Sequence, residues 1–293
     1  SDDISYILND IKLKLLDTEK LKTIIHLFNT KFLLDDKPVK NLPIGLYGDF
    51  YSHQLTFFMI ENNELKNINT LLNKCNLNLN KIVLKSFIEG INIAKNEKKD
   101  TFLKIVINKQ ESYLIFFFES SFCFFQRFNF GSDIILKDIS KVCSIEMTKV
   151  LSIVSNSNFE TADKNNYVDK KYLDKNSTRK ISLQHINEIS SARIEEILNV
   201  IFLKNKNLNE IDKQKIPLYL NLEDKMIAIK FKEIFNNNLN KNSLKFIEQI
   251  DEDPLTSIKI FGDLLSKGWA KEAIPVLKKK RSWISKLFSG LFE

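Results

Sequence analysis

The chain has 293 residues, 43% of them hydrophobic, which is enough for one sizeable core or two smaller ones. Its 44 lysines and arginines against 37 aspartates and glutamates give a net charge of +7, which suits an anionic surface but falls short of the charge density of a dedicated nucleic-acid-binding protein. The three cysteines lie far apart and form no Cys-x-x-Cys pair, which argues against a disulfide framework or a zinc site and favours a reducing cytosol.

The sequence also lacks the patterns of membrane-spanning and secreted proteins. The longest apolar region, residues 113–125, is interrupted by Glu119, Ser120 and Ser121, and no run reaches the roughly 18 apolar residues that a spanning helix needs. We recognise no signal peptide at the start. Because the first residue is Ser1 rather than methionine, we expect the chain to begin inside a longer protein.

The first third of the chain predicts a mixture of helices and strands. Apolar residues recur at helical spacing over residues 4–15, which predicts an opening helix. Residues 22–35 and 50–60 predict strands, because aromatic and β-branched side chains are frequent there and prolines and glycines separate the two runs. An amphipathic helix is predicted at 65–75, and a short strand running into a helix at 81–95.

Three closely spaced apolar runs follow, at residues 102–107, 113–118 and 122–130. Their lengths and the polar turns between them predict a meander of hairpin strands rather than a ligand site. Residues 134–154 have a helical period, and residues 155–180 are rich in Asn, Ser, Asp and Lys, which predicts a solvated loop.

The rest of the chain alternates helices and strands. A long helix is predicted from Ser182, a suitable N-cap, to Ile201. Strands at 217–221 and 244–250 alternate with helices at 223–235 and 254–267. This order of βα units and a meander predicts an α/β fold.

Four segments carry recognisable strings. Residues 23–50, "TIIHLFNTKFLLDDKPVKNLPIGLYGDF", end in a Pro-x-Gly-x-x-Gly turn, and residues 129–139, "NFGSDIILKDI", place Gly-x-Asp before a helix. Residues 179–201 open with Arg-x-x-Ser and contain Ala-Arg-x-Glu-Glu, and the chain ends in a Trp-Ile-containing amphipathic segment. These strings, spread from about Ile24 to Glu293, resemble the family of the bacterial cell-division protein FtsA, an actin-like membrane tether for the tubulin-like FtsZ.

The resemblance implies an actin-like (ribonuclease H-like) two-domain fold with an inserted small α+β subdomain and a C-terminal amphipathic helix, in an N-terminally incomplete chain. The implied first actin-like subdomain consists of its remainder at 1–35 and a return at 81–100, with the inserted subdomain at 36–80 between them. The implied second actin-like domain is 101–269, and 133–202 is its FtsZ-binding subdomain. A basic linker at 270–281 and the membrane-targeting helix at 282–293 follow.

The family's nucleotide site is the main departure. Its phosphate-binding hairpin corresponds to residues 101–117, where Asn108, Lys109 and Gln110 replace three glycines and Val106 replaces an aspartate. Glycine amides approach phosphates without a Cβ in the way, so side chains here disfavour the cradle. A second glycine pair, expected within residues 220–223, is also absent, and the whole chain has only 7 glycines. We therefore expect a protein that is not an enzyme and needs no cofactor; a shifted alignment would leave ATP with magnesium as the alternative.

The C-terminal tail is the clearest candidate site. On a helical wheel its large apolar side chains occupy one half, and a basic segment precedes them. The apolar residues are Trp283, Ile284, Leu287, Phe288, Leu291 and Phe292, and the basic residues are Lys278, Lys279, Lys280 and Arg281. Six such side chains contribute about 9–18 kcal/mol if fully buried, whereas ordering each residue costs roughly 1–2 kcal/mol. One copy is therefore expected to bind anionic lipid marginally; docking on the protein's own core or on a partner is the alternative.

Two arginines are candidates for the filament-binding surface. Arg179 and Arg193 correspond to basic positions of the family's FtsZ-binding face, where guanidinium groups suit an acidic and apolar C-terminal peptide. For Arg193 the alternative is an i,i+3 ion pair with Glu196 on an exposed helix. No acidic or cysteine ligand lies at metal spacing from His26, His53 or His185, so we expect no metal and take the three histidines as surface residues.

These observations predict a cell-division adaptor rather than an enzyme. It is expected to bind the FtsZ C-terminal peptide, anionic lipid on the inner face of the cytoplasmic membrane at the septum, further copies of itself in filaments, and other division proteins, but no nucleic acid. The alternatives are an actin/Hsp70-like ATPase with atypical loops and a basic nucleic-acid-binding protein. The second alternative is disfavoured because basic and aromatic residues are interleaved only in the tail.

Overall fold

A computed structural model describes residues 17–40, 45–156, 166–173, 179–213, 215–239, 244–247, 254–269 and 271–272, together with residues 11, 14, 15 and 43. Residues 11, 14 and 15 are helical, in agreement with the predicted opening helix, whose first residues lie outside this part of the chain. Most of the predicted basic linker and the whole predicted tail helix at 282–293 also lie outside it.

The chain divides into two units. Of the described residues, unit 1 takes those within 1–101, 115–124 and 252–293, and unit 2 takes those within 102–114 and 125–251. Two strands follow residue 111. The turn between them and the adjoining strand residues (115–124) belong to unit 1, and the remaining residues of both strands belong to unit 2.

Unit 1 contains a three-stranded antiparallel sheet in the order β2-β1-β3. Its strands are β1 (Lys22–Leu34), β2 (Lys37–Val39) and β3 (Tyr51–Glu61). The turn from β1 to β2 is formed by Asp35 and Asp36, whose φ angles of 51° and 61° match a type I′ hairpin without glycine. The Asp35 carboxylate accepts hydrogen bonds from the amides of Asp49 and Phe50, each at 2.8 Å, and so orders the loop that leads into β3.

The helices of unit 1 are α1 (Asn62–Lys74), α2 (Lys85–Glu97) and the later helix Pro254–Lys267. The short strand predicted at the start of 81–95 is absent, because residues 81–84 are irregular and lead directly into α2. The core of this unit is aromatic, with rings of Phe28, Phe87 and Phe122 in mutual contact. A Cβ on Gly90 would overlap the ring of Phe117, so α2 requires glycine where it meets this side chain.

His26 is not a surface residue, and this expectation was wrong. It lies on β1 with no exposed surface, and its Nδ1 is 2.7 Å from Oε1 of Glu272. Since the amide of Leu84 donates to Nε2 at 3.1 Å, Nδ1 carries the proton and donates to the carboxylate. His53 is partly buried as well, and burial lowers its pKa to about 4, whereas the side chain of His185 is 52% exposed, as expected.

A five-stranded sheet has the order β6-β5-β4-β7-β8. Its strands are β4 (Phe102–Ile107), β5 (Ser112–Phe118), β6 (Ser121–Phe128), β7 (Leu218–Leu222) and β8 (Leu244–Ile247). β4 and β7 pair in parallel, as do β7 and β8, and every residue of β4 and β7 is buried, as is typical of a sheet covered on both faces. The predicted meander and the α/β class are confirmed, and the strands of this sheet, numbered along the chain, have the order 3-2-1-4-5.

Unit 2 contains α3 (Asp133–Cys143), α4 (Met147–Asn156), α5 (Leu183–Leu198) and α6 (Lys225–Leu239); the unit 1 helix Pro254–Lys267 is α7. The region predicted as one helical segment at 134–154 is broken at Ser144, whose φ is 53°. The predicted N-cap is confirmed, because Ser182 Oγ accepts a hydrogen bond from the amide of His185 at 3.1 Å. α5 packs against α3 and α6 and continues as a π-helix, Asn199–Leu203.

The described part of the chain has neither a membrane-spanning helix nor a metal-binding cluster. None of its helices is both long and apolar enough to cross a membrane. Within the same residues, no group of three or more His, Cys, Asp or Glu side chains is arranged to hold a metal ion.

Candidate functional site

The first candidate site is the turn between β4 and β5, where the sequence resemblance predicts a degenerate phosphate-binding loop. Asn108, Lys109 and Gln110 form this turn and line a cavity of about 670 Å³ in unit 2, which we call the turn cavity. Its other lining residues are Glu111, Arg127, Asn129 and Glu223. The structure thus brings all three predicted residues of the degenerate nucleotide site together.

The main-chain groups of this turn are already hydrogen-bonded within the chain. The amide of Lys109 donates to Oε2 of Glu223 at 2.8 Å, and the amide of Asn108 donates to the carbonyl of Glu111 at 2.9 Å. The amide of Glu223 donates to the carbonyl of Ile107 at 3.0 Å. The amides of Asn108 and Lys109 are therefore already occupied by acceptors from the chain itself.

The N-terminus of α3 is closed by the same turn. The amides of Ser132 and Asp133 donate to the carbonyls of Asn108 and Lys109, each at 2.9 Å. A Cβ on Gly131 would overlap the Asn108 oxygen and lie 2.6 Å from the Lys109 oxygen, so the two segments are in direct backbone contact. The first helix amides, which could otherwise attract an anion, are thus occupied by carbonyl oxygens.

The charged side chains of the turn cavity also balance one another. Arg127 forms an ion pair with Glu111, and the Glu223 carboxylate accepts a hydrogen bond from the amide of Lys109 in the turn. A nucleotide phosphate at this turn would meet that carboxylate and side chains where the family has glycines. The residues present therefore do not fit a nucleotide phosphate at this position.

The second candidate site lies at the start of α5, in the region predicted to bind FtsZ. A cavity of about 580 Å³ in unit 2, which we call the basic cavity, is lined by Val142, Cys143, Arg179, Lys180, Ile181, Ser182, Gln184, His185 and Glu188. Three of these side chains are basic types and one is acidic. Val142 is 57% exposed and supplies an apolar rim.

Local hydrogen bonds hold the basic residues in place. The amide of Val168 donates to the carbonyl of Ile181 at 2.9 Å, and the amide of Leu183 donates to the carbonyl of Asn166 at 2.8 Å. These bonds belong to an antiparallel bridge between Tyr167 and Ser182. The segment that carries Arg179 and Lys180 is therefore fixed to its neighbour before α5 begins.

Arg193 does not line the basic cavity. Its guanidinium pairs with Asp138 on α3 and, at 2.7 Å, with Glu196 on α5, and its side chain is 26% exposed. The pair with Glu196 was the alternative weighed for this residue, whereas the contact with Asp138 was not anticipated. The FtsZ contact predicted for Arg193 stays a prediction, and of the two arginines only Arg179 lines the basic cavity.

A third feature of unit 1 lies at residues 269, 271 and 272, at the start of the predicted basic linker. Nε1 of Trp269 donates to the carbonyl of Ser120 at 2.6 Å, and the amide of Asn29 donates to the carbonyl of Lys271 at 2.9 Å. Glu272 is buried against His26, and this burial raises the pKa of its carboxyl group. The chain is thus attached to unit 1 at the start of the predicted linker.

Sequence reasoning missed several of these residues. Glu223 entered only as the position of a missing glycine, and Lys180 and the cavity-lining role of His185 were not singled out. The only available signal was their proximity in sequence to Arg179 and to the end of a predicted strand.

No protein-family model matches the sequence, and no curated protein matches it. Three similar solved structures are of actin-like ATPase superfamily members. The ethanolamine utilization protein EutJ from Carboxydothermus hydrogenoformans is 13% identical with a TM-score of 0.43, over 67% of this chain and 60% of that one. MreB 5 of Spiroplasma citri, bound to AMPPNP, is 13% identical with a TM-score of 0.47, over 71% of this chain and 66% of that one.

The PilM–PilN type IV pilus biogenesis complex is 9% identical with a TM-score of 0.46, over 91% of this chain and 72% of the matched chain. The match thus spans less than two thirds of the length of the EutJ and MreB 5 chains. Similarities of this size identify neither an activity nor a partner for this chain.

Proposed function

We propose that this chain is an FtsA-like adaptor that attaches FtsZ filaments to the inner face of the cytoplasmic membrane at the division site and does so without binding ATP. The observation that carries the proposal is the basic cavity. It places Arg179, Lys180 and His185 around one opening with an exposed apolar residue, Val142, at its rim. This combination suits a peptide that is both acidic and apolar.

The side chains at the start of α5 account for this preference for an acidic ligand. Guanidinium groups bind carboxylates in a bidentate manner, so Arg179 is the residue expected to fix the peptide, with Lys180 adding attraction at longer range.

The test is titration of the whole chain with a fluorescent FtsZ C-terminal peptide, read by anisotropy. We expect binding that Arg179→Glu weakens by about 10-fold or more, because reversal replaces an attraction by a repulsion. The matched control is Lys215→Glu, an exposed lysine of unit 2 outside the cavity, which should leave the affinity within about 2-fold. No binding by the unaltered chain, or equal losses in the two variants, would reject the peptide assignment.

The proposed membrane contact is the tail at 282–293. Its sequence segregates six large apolar residues from a polar half, and Lys278 to Arg281 precede them. The contacts of Trp269 and Glu272 support this role, because they fix the chain on unit 1 ten residues before the tail begins. Since a single copy binds marginally, we propose that self-association along a filament multiplies the attachment. Binding of other division proteins is part of the same proposal.

Co-sedimentation with anionic liposomes tests the tail. The double variant Leu287→Glu, Phe288→Glu should lose most membrane binding. Ser285→Glu, Ser289→Glu adds the same charge on the polar half of the tail and should retain more of it. If the apolar-face variant still sediments like the unaltered chain, the tether proposal is wrong.

A further inference from the structure

The end of β7 supplies a carboxylate to a turn that lies far away in the sequence. Glu223 directly follows β7, and its Oε2 accepts the amide hydrogen of Lys109, 114 positions away, at 2.8 Å. Its own amide donates to the carbonyl of Ile107, the last residue of β4, at 3.0 Å. Glu223 therefore ties the end of β7 to the β4–β5 turn through both its main chain and its side chain.

We propose that the Glu223 carboxylate acts as an internal anion. It occupies the Lys109 amide of the β4–β5 turn and holds this turn in place without any nucleotide. The residues of the turn do not fit a nucleotide phosphate, and the inference concerns what stands in its place. It is a positioning role for Glu223, and it does not depend on the FtsZ or membrane assignments.

The physical basis is the chemistry of a turn amide. A backbone N–H at a turn binds an anion better than a neutral acceptor, and a charge-assisted hydrogen bond is stronger than a neutral one. A carboxylate that belongs to the same chain is present at high effective concentration, so a free anion competes poorly. The neighbouring amides of Ser132 and Asp133 are already bonded to the turn carbonyls, which leaves Glu223 as the anion that completes the arrangement.

Removal of this carboxylate should create a vacancy that a small anion can fill. The amide of Lys109 would lose its partner, while the turn would keep its cationic neighbours in the same cavity, Lys109 and Arg127. Acetate, which reproduces the lost carboxylate, and inorganic phosphate are therefore the probes.

The experiment compares two variants of the whole chain that have the same net charge. Glu223→Ala vacates the amide, whereas Glu223→Gln removes the charge but keeps an oxygen that can accept from it. Thermal unfolding is measured in chloride, acetate and phosphate at matched ionic strength. We expect Glu223→Ala to lower the Tm by about 2–4 °C in chloride and acetate or phosphate to restore part of the loss.

The unaltered protein and Glu223→Gln should show no such anion response. An equal response of all three proteins, or an unchanged Tm for Glu223→Ala, would overturn the proposal. If Glu223→Ala does not fold, Glu223→Asp serves instead, because it keeps the charge but is shorter by one methylene. Hydrogen exchange of the Lys109 amide should then be faster than in the unaltered protein, because the shorter carboxylate reaches this amide less well; unchanged exchange would contradict the assignment.

Discussion

The turn cavity and the basic cavity lie in the same unit and differ in their balance of charged side chains. In the turn cavity Arg127 pairs with Glu111, and Glu223 accepts from the Lys109 amide, so the groups that could attract a ligand satisfy one another. The basic cavity is lined by three basic side chains and one acidic side chain, with an exposed valine at its rim. The difference makes the basic cavity, with its excess of basic side chains, the better candidate for recognition of an acidic ligand.

The largest expected effect is a loss of stability from a substitution at Gly131, which contacts the backbone of the turn. Gly131→Ala forces a Cβ into the carbonyls of Asn108 and Lys109, and backbone atoms cannot move aside as a flexible side chain can. We expect a loss of about 1–3 kcal/mol and a Tm lower by roughly 2–10 °C, measured by thermal unfolding.

The control for this substitution is Gly262→Ala. Gly262 lies within α7, and a Cβ there meets nothing within 4 Å. The same change should stabilise the helix by about 0.5–1 kcal/mol. Equal effects at the two glycines would contradict the close packing described for the turn cavity.

The next effect separates the two cavities by charge reversal. Lys180→Glu should weaken binding of the FtsZ C-terminal peptide by about 5- to 10-fold, because it places a carboxylate beside an acidic ligand. Arg127→Glu should change the affinity by less than about 2-fold, since a residue of the turn cavity is not expected to meet the peptide. Equal losses in an anisotropy titration would show that the basic cavity has no special role.

A smaller effect distinguishes the two arginines of the predicted filament-binding surface. Arg193→Ala removes ion pairs with Asp138 and Glu196. Because these side chains are partly exposed, the loss of stability should be about 1 kcal/mol. Peptide affinity should fall less than for Arg179→Ala. A larger loss of peptide affinity for Arg193→Ala than for Arg179→Ala would show that Arg193, and not Arg179, contacts the peptide.

The smallest effect concerns salt. Raising ionic strength from low to physiological values should weaken peptide binding at the basic cavity a few-fold, because exposed charges are screened over roughly 8 Å at physiological ionic strength. The Tm should change little over the same range, since the turn cavity depends on short hydrogen bonds. A salt-independent peptide affinity would contradict an electrostatic role for Arg179 and Lys180.

Local patterns in the sequence were sufficient for most of the elements. The three apolar runs after residue 101 predicted the β4–β5–β6 meander, and Ser182 was recognised as the N-cap of α5 because capping depends on residues three positions apart. The break at Ser144 was missed because a left-handed serine leaves no clear signal in an otherwise helical period.

The features that define the sites were beyond such patterns. Lys109 and Glu223 are 114 positions apart, and His26 and Glu272 are 246 apart, so only the folded chain brings each pair together. The family resemblance drew attention to residues 108–110, which form the β4–β5 turn, but it could not indicate that Glu223 bonds to this turn. It also could not show that Arg193 pairs with Asp138 while Arg179 lines a cavity.

The most direct measurement is reconstitution of the whole chain with anionic liposomes and FtsZ filaments, followed by co-sedimentation with and without ATP and magnesium. We predict that FtsZ sediments with the liposomes only when the chain is present, and to the same extent in both nucleotide conditions. Failure to recruit FtsZ, or recruitment that requires ATP, would contradict a nucleotide-independent tether.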